Sequence, residues 1–163
     1  MEKVFGATVR NDQLIVHGTG KAVLIYGYGE EDGQGFDYRH VFDHKPTKEE
    51  LREVIENHIN SLTDQKILTG FVWNGKPVWL SIENEFNFKA AFDLAVQKNG
   101  ATLPVKLKLG IDENGDPVYH TFKTLNSFDD FYTSATVYVN QTLNEGWAEK
   151  DNVDYNALLG VNE

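Results

Sequence analysis

His40 and His44 stand four residues apart, with Asp37 and Asp43 beside them. On a helix that spacing would aim both imidazoles at one metal ion. Here the segment reads as a strand running into a turn at Pro46, where side chains so spaced need not converge, and no metal site is expected. Asp112-Glu113-Asn114-Gly115-Asp116 opens like a calcium loop, but the required Gly at position six is Pro117 and the bidentate Glu at position twelve is Lys123. Gly27, Gly29, Gly33 and Gly35 fit neither the dinucleotide fingerprint nor the P-loop, and Glu30-Glu31-Asp32 among them would repel phosphate. Cysteine is absent, Ser61, Ser81, Ser127 and Ser134 lack a nucleophile elbow, and carboxylates are too many to single out an acid–base pair. The expectation is a chain with no catalytic residue, metal ligand or cofactor; an enzyme built around Asp37, His40 and His44 is the distant alternative.

Aromatic side chains are the better candidates, since exposed Trp and Tyr anchor protein interfaces and stack on sugars. Tyr26, Tyr28, Tyr38, Trp73 and Trp79 are the expected interaction residues, with Trp73, Trp79 or Tyr28 as platforms if the ligand is a glycan. Strand alternation puts Trp79 on the face opposite Val78 and Leu80.

The elements that must position these residues are legible in the pattern. Residues 1–45 read as a β-rich segment: a hairpin of Val4–Arg10 with Leu14–His17, an apolar central strand over Lys21–Tyr28, a mobile glycine-rich tip over 27–35, and a strand over Phe36–Phe42. Residues 46–163 open with a capping box, Thr47 with Glu50, and an apolar stripe from Leu51 that predicts a helix to about Ser61. Two copies of a strand–turn–strand–helix unit follow, over about 66–100 and 103–147. Asn74-Gly75-Lys76-Pro77-Val78-Trp79 returns as Asn114-Gly115-Asp116-Pro117-Val118-Tyr119; Phe88, Phe92 and Ala95 match Phe128, Tyr132 and Ala135 at the same offset. Each Asn-Gly predicts a tight hairpin turn, Lys66–Trp73 the first outgoing strand, and Ser127 with Asp130 a second capping box before a helix to about Glu145. The predicted class is α+β, with the hairpins forming a mostly antiparallel sheet and the helices on one face.

A net charge of −10, with the cations scattered, argues against nucleic acid and against anionic membranes as partners. No apolar run approaches the roughly 20 residues that span a bilayer, and the first residues do not read as a secretory signal.

Tyr38-Arg39-His40-Val41-Phe42-Asp43-His44-Lys45-Pro46-Thr47 and Lys66-Ile67-Leu68-Thr69-Gly70-Phe71-Val72-Trp73-Asn74-Gly75-Lys76-Pro77-Val78-Trp79-Leu80 resemble a group of uncharacterised proteins encoded by phages and prophages of Bacteroidales. More distantly, the chain is similar to a domain of unknown function in phage tail and tail-fibre-associated proteins. The matching motifs are turns and caps, so the resemblance implies a setting without site residues: a tail-associated virion component, or an assembly accessory, located in the virion or the bacterial host cytoplasm. The combined expectation is a non-catalytic structural or adaptor protein that contacts other virion proteins or further copies of itself. A carbohydrate or small-ligand module is the alternative.

Overall fold

Thr47 and Glu50 set the start of the first helix. The Thr47 N–H donates to Glu50 Oε2 at 2.8 Å and the Glu50 N–H donates to Thr47 Oγ1 at 3.2 Å, so two otherwise orphaned donors are satisfied reciprocally. A computed structural model describes residues 1–18 and 20–160 as an α+β fold. Its strands are β1 (Glu2–Phe5), β2 (Gln13–Val16), β3 (Ala22–Glu31), β4 (Gln34–Phe42), β5 (Phe71–Trp73), β6 (Lys76–Val78), β7 (Val105–Ile111) and β8 (Pro117–Phe122). Its helices are α1 (Lys48–Thr69), α2 (Ile82–Gln97), α3 (Leu125–Asp151) and α4 (Tyr155–Leu159). The chain divides into two units, Met1–Asn60 with Ala148–Glu163, and Ser61–Trp147, so the cuts fall inside α1 and α3 and not at Pro46.

In the first unit four antiparallel strands are ordered β1-β4-β3-β2. The expected hairpin of the first two strands does not form; they lie at opposite edges of the sheet. β1 is held on β4 by the Phe5–Phe36 ring contact and by Lys3 Nζ, which reaches Glu31 at 2.6 Å and lies over the Phe36 ring. Asp12 makes no hairpin turn, because its carboxylate accepts the Gly27 N–H at 2.8 Å. The glycine-rich stretch is likewise strand, not loop. Cross-strand pairs satisfy its acids, Glu31 with Lys3 and Glu30 with Arg10, and Gly29 is indispensable because a Cβ there would lie 2.3 Å from the Phe36 ring. The turn proper is Asp32-Gly33, both at positive φ. Ala22, Leu24, Tyr26 and Phe42 point to one face, which Leu51, Ile55 and Ile59 of α1 cover together with Tyr155 of α4. That is why the first half of α1 belongs to the same unit as the sheet.

α1 overruns its expected end at Ser61, and residues 66–69 are helix instead of strand. Ile67 packs on the second unit's core, Lys66 pairs with Glu145 at 2.6 Å, and the Lys66 carbonyl accepts from the Tyr138 hydroxyl at 2.8 Å. These contacts reward another two turns until Gly70, where a Cβ would meet Tyr138 Oη at 2.3 Å.

In the second unit Asn74 and Gly75 take positive φ (49° and 71°) and close the β5–β6 hairpin in two residues, as a type I′ turn requires. The second Asn-Gly behaves differently. Only Gly115 has positive φ, and the wider β7–β8 turn is organised by Asp112, whose carboxylate accepts the N–H groups of Asn114 and Asp116. The hairpins form two separate two-stranded ladders joined by one backbone bond, Trp79 N–H to the Leu109 carbonyl at 2.8 Å, rather than a continuous sheet. A three-residue β6 containing Pro77, which has no N–H, offers little more to pair. α3 starts before the expected Ser127 box: Thr124 Oγ1 accepts the Ser127 N–H, and Asp130 is used elsewhere. It also passes Glu145, because Gly146 is buried against Thr63, where any side chain would collide.

Matched positions of the repeat pack together. Phe88, Ala95, Phe128 and Ala135 are all buried, and Phe92 stacks on its counterpart Tyr132 at 4.8 Å. Phe122 is the centre of this core, stacked on Phe128 at 4.3 Å and within 5.6 Å of Phe131 and Trp73. Phe122→Ala is expected to lower the unfolding free energy by about 3–5 kcal/mol, measured by urea denaturation followed by far-ultraviolet circular dichroism; a loss under about 1 kcal/mol would mean the cluster is not the core.

Candidate functional site

The five aromatic candidates separate by burial. Trp73 is in the second core, with its indole N–H donating to Asp130 Oδ2 at 2.9 Å and its ring against His120 and Phe131. Tyr26 is buried in the first core and its hydroxyl donates to Glu149 at 3.1 Å. Neither presents a face to a partner, which corrects the expectation for both: an indole or phenol whose polar atom finds an internal acceptor can be packed at little cost. Tyr28 and Tyr38 are half-buried, the first donating to Glu30 at 2.8 Å and the second packed on His58 at 4.2 Å. Trp79 keeps more of its ring in water, while its neighbours Val78 and Leu80 are buried, so the expected alternation holds.

The histidines and acids of the sequence do not assemble. Asp37 is buried and gripped by Arg39 through two bonds of 2.7 and 3.0 Å. His40 points to the other face of β4, against Phe42, while His44 bonds Glu50 at the start of α1. Among the described residues no three His, Cys, Asp or Glu side chains are grouped to hold a metal, and no helix is long and apolar enough to cross a membrane.

A cleft of about 510 Å³ in the first unit is lined by Asp12, Tyr26, Glu149 and Asp154. Its acids have structural work: Asp12 holds the Gly27 N–H, Glu149 the Tyr26 hydroxyl, and Asp154 caps α4 through the Ala157 N–H at 2.9 Å. Burial, then the charge of Glu149, raises the Tyr26 hydroxyl far above its ordinary value, so the phenol is fixed as a neutral donor.

What the first unit does offer is an edge. β2 reads Gln-Leu-Ile-Val, without charge or proline, and among the described residues nothing bonds the outer side of its backbone. Registry places Ile15 beside Val23 and Val23 beside Val41, a row of three apolar side chains across β2, β3 and β4 on the face away from α1. Val41 is 63% exposed and Ile15 39% exposed. At the opposite edge β1 is guarded by Glu2 and Lys3, so β2 is the open one. The sequence pattern marked the strands but not which would be edges. It also missed Lys76 and His120, 3.1 Å apart in the second unit on the strands of different hairpins.

Comparison with family models, with curated proteins and with solved structures finds no match.

One buried group gives a pH signature. His58, packed between Tyr26 and Tyr38, has no partner for Nε2 among the described residues, and desolvation holds its pKa below the ordinary 6.5. The folded state therefore binds fewer protons than the unfolded chain in acid, and stability present above the ordinary value is lost as pH falls through the lowered one. Urea midpoints measured from about pH 7.5 to about 5 should fall more steeply for the wild type than for His58→Leu; parallel curves would contradict a neutral buried imidazole.

Proposed function

We propose that this chain is a non-catalytic adaptor of a phage particle, tail-associated, that works through protein–protein contacts made by its N-terminal sheet. The observation that carries the contact is the β2 edge, an uncharged strand whose outer side is unpaired among the described residues, bordering a row in which half-buried Val23 lies between exposed Ile15 and Val41. An edge of this kind is a template for another strand. Supporting the absence of catalysis is the engagement of each cleft carboxylate in a structural bond. The phage setting rests on the sequence resemblance over Tyr38–Thr47 and Lys66–Leu80.

The simplest partner for such an edge is the same strand of a second copy. A two-fold pairing would bring together the two Ile15 side chains at the new strand junction, contributing at most about 3–6 kcal/mol. Lost translational and rotational freedom costs about 4–15 kcal/mol, so the association is weak and concentration-dependent. The charge of −10 on each copy opposes it and is screened by salt. A glycan reading has less support, because of its three expected platforms Trp73 is in the core and Tyr28 is half-buried with its hydroxyl on Glu30.

Sedimentation velocity should show reversible self-association that is stronger in about 0.5 M than in about 0.05 M salt. Ile15→Lys should weaken it about ten-fold while leaving the fold intact. A wild type that stays monomeric at every concentration would refute the edge contact. For the setting, mass spectrometry of purified particles should find the chain at a fixed ratio to the major capsid protein; its absence from particles, with abundant protein in infected cells, would overturn the virion role.

A further inference from the structure

The second unit carries a different surface, on α2. A helix in an ordinary domain has one apolar stripe, and one that is apolar on several sides is normally buried on several sides. α2 has two stripes. Phe88, Ala91, Phe92 and Ala95 face the core, as the burial of Phe88 and Ala95 requires. Ile82, Phe86, Ala90 and Leu94 recur every fourth residue along another side, and all four are exposed, Ile82 at 90% and Phe86 at 70%. Residues four apart form a ridge, the surface feature that seats in the groove of another helix.

Beside this ridge lies a groove of about 340 Å³ between α2 and α3. Leu80, Phe88 and Ala135 are its buried floor, and Phe86, Tyr132 and Val139 form its walls. Glu85, Lys89, Thr136 and Asn140 supply its polar lining. This is the arrangement in which an amphipathic helix lays down its apolar side chains.

Charge selects the occupant. At the rim, Lys89 is already paired with Asp93 at 2.6 Å, four residues along α2. Glu83 and Glu85 have no ion-pair partner among the described residues. Glu85 is half-buried in the groove wall, and desolvation pushes its carboxyl up. An acidic group held partly out of water without a cation is relieved by a ligand that brings one. The chain as a whole is at −10, which further favours a cationic partner over a second copy at this face.

We propose that the α2–α3 face docks a helix of another protein, one with an apolar stripe flanked by Lys or Arg. The stripe would seat along Phe86 and the groove, and a basic side chain would meet Glu85. This surface is independent of the β2 edge and would stand if that contact failed.

The test uses a fluorescein-labelled 18-residue peptide of Leu and Lys, with leucines spaced to form one helical stripe, and reads fluorescence anisotropy against the full chain at about 0.15 M salt. Saturable binding is expected, about ten-fold tighter than for a scrambled peptide of identical composition. Phe86→Ser, at a position largely in water, should reduce affinity about ten-fold without lowering thermal stability. Glu85→Gln should reduce it several-fold, whereas Glu113→Gln, the same charge change in the β7–β8 turn, and Ile15→Lys should leave it unchanged. Equal binding of the scrambled peptide, or insensitivity to Phe86→Ser, would reduce the attraction to general charge and overturn the site. A dimer of the chain that Phe86→Ser dissolves would overturn the occupant in favour of a second copy.

Discussion

A β-sheet has two faces, and the sheet of the first unit has helical cover for one. α1 lays Leu51, Ile55 and Ile59 on the face that carries Ala22, Leu24 and Tyr26, and the small α4 adds Tyr155. The capping box at Thr47 fixes where that cover begins, and Glu50, held below the usual carboxylate range first by the Thr47 backbone N–H and then by His44, stays charged to do it. The other face has Asp37 and Arg39 paired at one end and the Ile15–Val23–Val41 row at the other. Burying such side chains is worth about 1.5–3 kcal/mol each, and Ile15 and Val41 of this row remain exposed.

The same imbalance recurs on α2 in the second unit. Its inner stripe completes an aromatic core around Phe122, and its outer ridge is left in water. Each unit therefore satisfies its own core and has apolar surface remaining. In contrast, several polar groups are committed internally: the carboxylates of the first unit's cleft hold a backbone N–H or a hydroxyl, and the indole of Trp73 is bound to Asp130.

How much of this was legible in the sequence depends on the range of the interaction responsible. Local chemistry read well. The Thr47–Glu50 box and the Asn74-Gly75 turn need only neighbours in the chain, and the buried positions of the repeat follow from helical spacing. Long-range pairing did not. β1 and β2 resemble the arms of a hairpin until Lys3 and Phe5 find Glu31 and Phe36 on the far side of the sheet. The glycines at 27, 29 and 35 suggested a tip because their reason for being small is a ring or a backbone contributed from elsewhere. The second Asn-Gly looked identical to the first, yet the Asp112 carboxylate gave its turn another shape. Of the site, Trp79 stayed accessible while Tyr26 and Trp73 went inside, since one sequence does not show where an internal acceptor will lie. The outer ridge of α2 was not read from the sequence, where only the stripe through Phe88, Phe92 and Ala95 stood out, because apolar residues on a second side cannot be told from core without a fold.

We propose the β2 edge of the first sheet as a contact surface. Amide hydrogen exchange of Gln13–Val16, followed by mass spectrometry at low and at high chain concentration, tests it at the strand itself. Exchange in this segment is expected to slow as concentration rises while β1 is unaffected. Equal rates at both concentrations, in a chain that sediments as larger species, would place the contact elsewhere and contradict it.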